Sequence, residues 1–145
     1  MKTLFYLLII FPISQQSHAQ VKGDKTIRVQ DVGFTQVCNA LLDAGFIIDK
    51  KDDDLQTVKT EFKDGTGNNK WMKLLLTVRL KDSVAIITGS WYNSTVIGTK
   101  LLGQEQTIEN NTAKIEYTNG NPKRCFNEMK AFALSLGKQI TYSKQ

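Results

Sequence analysis

Residues 71–92 constrain the fold more tightly than any other stretch of this chain. From Trp71 to Lys81 the sequence alternates. Met72, Leu74, Leu76, Val78 and Leu80 make one unbroken apolar row, and Trp71, Lys73, Leu75, Thr77 and Arg79 make the other. A period of two puts the rows on opposite faces of a strand. Lys81-Asp82 is a tight reversal, and Ser83 to Tyr92 follows as the partner strand. Two such runs joined so closely predict an antiparallel hairpin with one face turned to a core.

The flanking segments supply what would cover that face. Thr26 to Val32 predicts a first strand. Phe34, Val37, Cys38, Leu41 and Leu42 then recur at helical spacing, which predicts a helix over Gly33–Ala44. Gly45 stops it, with Phe46 folding back on Leu41. Leu55 to Lys63 alternates as one strand, with Val58, Thr60 and Phe62 pointing the same way. Lys50 to Asp54 reads as a charged turn, and its Asp52–Asp54 run lacks the ligand pattern of a calcium loop; Asp64, Thr66 and Asn68 alternate, but the glycines of Asp64–Asn69 read better as hairpin geometry. Ala113 to Thr118 alternates again. A final helix opens at Asn121-Pro122, with Asn121 as N-cap and Pro122 at the first helical position. Its buried stripe is Cys125, Phe126, Met129, Phe132, Ala133 and Leu136, and Gly137 ends it. The expected fold is a single α+β domain: an antiparallel sheet of about four to six strands with two amphipathic helices packed on one face.

Residues 1–19 read as a secretory signal peptide. Lys2 gives the positive start, Leu4 to Ile13 an apolar run broken only by Pro12, and Ser17-His18-Ala19 the small residues of a cleavage site. Cleavage before Gln20 leaves residues 20–145 as the mature chain, exported to a periplasm or the extracellular space. The apolar run is too short to span a bilayer, and no later stretch approaches the length of a membrane helix. No transmembrane segment is therefore expected in the mature chain.

Removal of the leader also removes His18, the only histidine. The mature chain then lacks the commonest general base and metal ligand. No phosphate loop, dinucleotide fingerprint or H-E-x-x-H motif is present, and no cofactor is implied. The full chain carries a formal charge of +5. Its arginines are only Arg28, Arg79 and Arg124, and its lysines are scattered, a pattern that suits anionic surfaces better than nucleic acid. Cys38 and Cys125 each lie on the inner stripe of a helix, so a disulfide between them and two buried free thiols are both open readings.

Trp91 and Tyr92 end the hairpin beside the segment 93–112, which holds Val96, Ile97, Leu101 and Leu102. With Trp71 on the neighbouring outer row, they form the candidate binding surface, and a second small core beneath that segment is the competing reading. The expected function is a non-catalytic exported binding or accessory protein of the cell envelope or extracellular space. It would act through an apolar, aromatic sheet face or through segment 93–112. Its partner would be a protein, an envelope component or a small apolar ligand. A histidine-free hydrolase built on carboxylates, and a carrier of small apolar ligands, are the alternatives.

Overall fold

The computed structural model describes residues 19–93, 112–137 and 139–145. Its centre is the hairpin of β5 (Met72–Lys81) and β6 (Val84–Asn93), paired in continuous register from Lys81↔Val84 to Met72↔Asn93. The loop between them is Asp82-Ser83, with φ 51° and 60°. Left-handed φ at both loop residues is the mirror-image turn whose twist matches the flanking strands.

The other elements build outward from this hairpin. In chain order they are β1 (Thr26–Val29), α1 (Phe34–Asp43), β2 (Ile48–Asp52), β3 (Thr57–Thr60), β4 (Lys63–Asp64), β7 (Ala113–Lys114), α2 (Asn121–Ser135) and β8 (Ile140–Ser143). The eight strands among the described residues form one antiparallel sheet with the path β2-β3-β5-β6-β1-β8; β4 adds to β5 and β7 to β6. The sheet is thus wider than the four to six strands expected. The additions are β4, split from the Leu55–Lys63 run, β8, a short edge strand after the turn at Gly137, and β2, which runs through Lys50–Asp52 where a charged turn was expected.

The two helices share one face. Ile27, Val58, Met72, Leu74, Leu76, Val78 and Ile87 project from the sheet into a core closed by Val37, Leu41, Phe126, Met129 and Phe132. Phe126 and Met129 are fully buried, and burial of a side chain of that size contributes roughly 1.5–3 kcal/mol. Gly89 lies in the middle of β6 because a Cβ there would meet Ile115 Cδ1 at 2.6 Å and Leu75 O at 2.9 Å.

The helix ends show local chemistry at work. Gly45 (φ 77°) stops α1: its N–H donates to Leu42 O at 2.8 Å, and the Phe46 N–H donates to Leu41 O at 2.9 Å. That double bond is the Schellman stop expected from Gly45 and Phe46. α2 begins one residue earlier than expected. Gly120 (φ 69°) holds the N-cap position without a side-chain cap, and Asn121 is already helical.

Relief of the loop strain is measurable. Ser83→Gly is expected to raise stability by about 0.5–1 kcal/mol in urea denaturation, because glycine tolerates the left-handed φ that serine does not.

Candidate functional site

The predicted single strand Leu55–Lys63 is in fact two, and the break decides what the open face of the sheet displays. Lys59 faces Thr77 and Lys63 faces Leu74, so four steps on one chain match three on the other. One extra residue makes this a β-bulge, and everything beyond it changes face. Thr60 holds the bulge. Its buried hydroxyl accepts the Leu76 N–H at 3.0 Å and donates to Glu61 O at 2.9 Å. Phe62, expected on the inner row with Val58 and Thr60, packs edge-on against Tyr92 with ring centroids 4.7 Å apart. Tyr92 faces Lys73 across the hairpin, on the side away from the helices.

Among the described residues no helix lies on this face, and the register gives it a distinct chemistry. Arg28, Lys59, Lys73, Arg79 and Lys114 alternate out of the core here. Lys73 is held by Asp64 at 2.7 Å, which raises the lysine pKa through the hydrogen bond and the charge. Edge residues Lys50 and Asp52 offset one another in charge. Hydroxyls run across the middle: Thr77 faces Thr88 across the hairpin, and Thr26 faces Ser143 across β1 and β8. Among the described residues, the apolar groups on this face are Leu75, Val84 and Ile86, with the Phe62–Tyr92 aromatic pair. The face is basic and hydroxylated, where the sequence led to an apolar one.

A cleft of about 310 Å³ opens in it, lined by Thr26, Thr77, Thr88, Ser90, Lys25, Lys114 and Lys144 among others. Lys25 lies 3.8 Å from Glu116, with both side chains about one third or more exposed; such a pair contributes little.

The sequence-derived candidates are dispersed by this geometry. Trp91 and Tyr92 are consecutive strand residues and point to opposite faces. Trp91 faces Leu74 and packs against the core, with its indole N–H unpartnered among the described residues. Trp71 precedes β5, packs against the same core, and donates its indole N–H to Asn68 O at 3.0 Å. Only Tyr92 belongs to the open face. Val96, Ile97, Leu101 and Leu102 lie outside the described residues.

Cys38 and Cys125 are free and buried, so the structure does not contain the disulfide left open by the sequence. Each helix points its sulfur at a different neighbourhood. Cys125 Sγ sits 3.6 Å from Met72 Sδ at the start of β5, and burial pushes its thiol up to about 12. Cys38 lies near Lys51 and Asp53 of the opposite sheet edge, and burial raises its pKa as well. The acidic runs are turns only in part: Asp52 ends β2 and Asp64 ends β4, while residues 53–56 turn. Asp52 accepts the Leu55 N–H at 2.8 Å, and Asp53 pairs with Lys51 at 2.8 Å. Asp24, the one buried carboxylate among the described residues, accepts the Val21 N–H at 2.8 Å. No helix among the described residues is long and apolar enough to cross a membrane.

The chain matches no model of a known protein family, and no curated protein matches it.

Two measurements check these assignments. Thr60→Val leaves the Leu76 N–H buried without an acceptor, so it is expected to destabilise the protein by roughly 1–3 kcal/mol in urea. Iodoacetamide is expected to modify both cysteines in denaturant without reductant, and neither at pH 8 in the folded protein. The folded Cys125 thiol keeps its proton above the ordinary value of 9.0. Its contribution to stability is therefore full below about pH 9 and falls as pH rises towards 12.

Proposed function

We propose that this is an exported, non-catalytic binding protein. The helix-free face of its sheet would dock on an anionic polysaccharide of the cell envelope or extracellular space. The basic, hydroxylated character of that face is the observation that carries the reading. Its five cations sit on strands, and among the described residues the acids beside them are Asp64, paired with Lys73, Asp52 at the edge, and Glu116, which shares Lys25 at the cleft. Hydroxyl rows offer donors and acceptors matched to sugar hydroxyls. The Phe62–Tyr92 pair offers an aromatic surface on which a sugar ring can rest.

Export is supported by residues 1–19, which have the three-part pattern of a cleaved leader. A polysaccharide fits this compartment, and the scarcity of arginine tells against nucleic acid. The described cleft is lined by ammonium groups and hydroxyls, which does not suit a carrier of apolar molecules. The buried carboxylate Asp24 is engaged by main chain, which does not suit hydrolysis by paired carboxylates.

Affinity electrophoresis of the mature protein tests the reading. Gels containing polygalacturonate or dextran sulfate are expected to retard it, and gels containing uncharged dextran are not. Lys59→Gln/Arg79→Gln is expected to weaken retention about three- to tenfold. Equal retardation by uncharged dextran, or full retention by the double variant, overturns the reading. The protein recovered from cells is expected to begin at Gln20; an intact Met1 or Lys2 at its start overturns export by a cleaved leader.

A further inference from the structure

The outer edge of β6 is shared by two partners that part company. β1 pairs with it from Ala85 to Ile87, and β7 pairs with it at Ser90 and Trp91. Between them, at Thr88-Gly89, the edge forks. The chain leaving β7 closes the far side of the fork. Ile115 N–H donates to Gly89 O at 2.9 Å, Tyr117 N–H to Asp24 O at 2.7 Å, and Gly23 N–H to Tyr117 O at 2.8 Å. Gly89 allows the closure, since any side chain there would collide with Ile115. The cleft of about 310 Å³ lies at this fork, at the small end of the roughly 300–1,000 Å³ of small-molecule sites.

We propose that this fork is an oxyanion subsite that grips a sulfate, phosphate or carboxylate group. The proposal rests on the polysaccharide reading and names the group that the face would hold. The Thr88 and Ser90 side chains project from β6 into the fork, and Thr77 stands beside Thr88. Thr26 forms a wall, fully buried, with its hydroxyl donating to the main-chain oxygen of Gln145. Lys25, Lys114 and Lys144 surround the opening. Lys25 is shared with Glu116, whereas Lys114 and Lys144 have no ion-pair partner among the described residues. The Thr88 and Thr26 hydroxyls already donate to Thr77 O and Gln145 O; the Thr77 and Ser90 hydroxyls, with the ammonium groups of Lys114 and Lys144 at the rim, give an oxyanion charge-assisted hydrogen bonds from more than one direction. A cationic group is repelled by the three ammonium groups around the opening.

Titration of ¹⁵N-labelled mature protein with sodium sulfate, at ionic strength held by sodium chloride, tests the subsite. Saturable amide shifts are expected at Thr88, Gly89, Ser90 and Ile115. Lys114→Gln/Lys144→Gln is expected to weaken the sulfate affinity about tenfold. Lys70→Gln/Arg124→Gln removes the same charge elsewhere and is expected to leave the affinity in place. Shifts spread evenly over surface lysines, or unaltered in the Lys114/Lys144 variant, overturn the proposal. Parallel titrations with phosphate and acetate rank the oxyanion class, and dextran sulfate separates a pendant group from a free anion. Retention on dextran sulfate without saturable sulfate shifts overturns the subsite and leaves the polysaccharide reading standing. Saturable sulfate shifts without polymer retention do the reverse.

Discussion

Leu74, Leu76, Val78 and Ile87 are driven out of water onto one side of the β5–β6 ladder, and the remaining architecture follows from covering them. α2 lies over β6, β1 and β5, bringing Phe126, Met129 and Phe132 onto that row. α1 completes the cover through Val37 and Leu41. β1 joins the free edge of β6 and contributes Ile27 and Val29 to the same face. With both described helices committed to one side, the opposite side is, among the described residues, left to strand side chains. Burial on one face and availability on the other are two results of the same packing.

The bulge at Thr60 shows how little separates core from surface in a sheet. One extra residue turns Phe62 away from the helices and sets it against Tyr92. The reversal continues into β4, where Lys63 lies over the Phe46 ring and reaches the Ala44 carbonyl at the end of α1. Asp64 meets Lys73 on the open face. The Thr60 hydroxyl takes over one backbone hydrogen bond where the ladder is interrupted, so the irregularity leaves no buried Leu76 N–H orphaned. An aromatic contact and an ion pair on the candidate binding face thus both trace to one buried hydroxyl.

Much of the fold was legible from residues 71–92 and from the two helical stripes. Strict alternation leaves one arrangement for the β5–β6 hairpin, and the stop at Gly45 follows from its freedom to adopt positive φ. The candidate site was far less legible. Trp91 and Tyr92 look like a pair on paper, but a strand sends neighbours to opposite faces, and Trp91 enters the core. The lysines and hydroxyls that make the open face look like ordinary solvated positions, because nothing in their spacing says which strands will be adjacent. β8 escapes a sequence reading for a similar reason: four residues at the end of the chain after the Gly137 turn become a strand only when β1 offers them an edge.

The amino-acid pattern alone determined the hairpin, both described helices, the shared buried face and the absence of histidine after His18. These depend on local periodicity and on residue type, which any short window displays. Only the tertiary structure decided that the cysteines stay apart, that Phe62 changes face, and that Thr88, Ser90, Lys114 and Lys144 gather at one fork. Those outcomes depend on strand order and on the registry of a bulge. Such quantities are set by burial summed over the whole sheet, and no local window contains them.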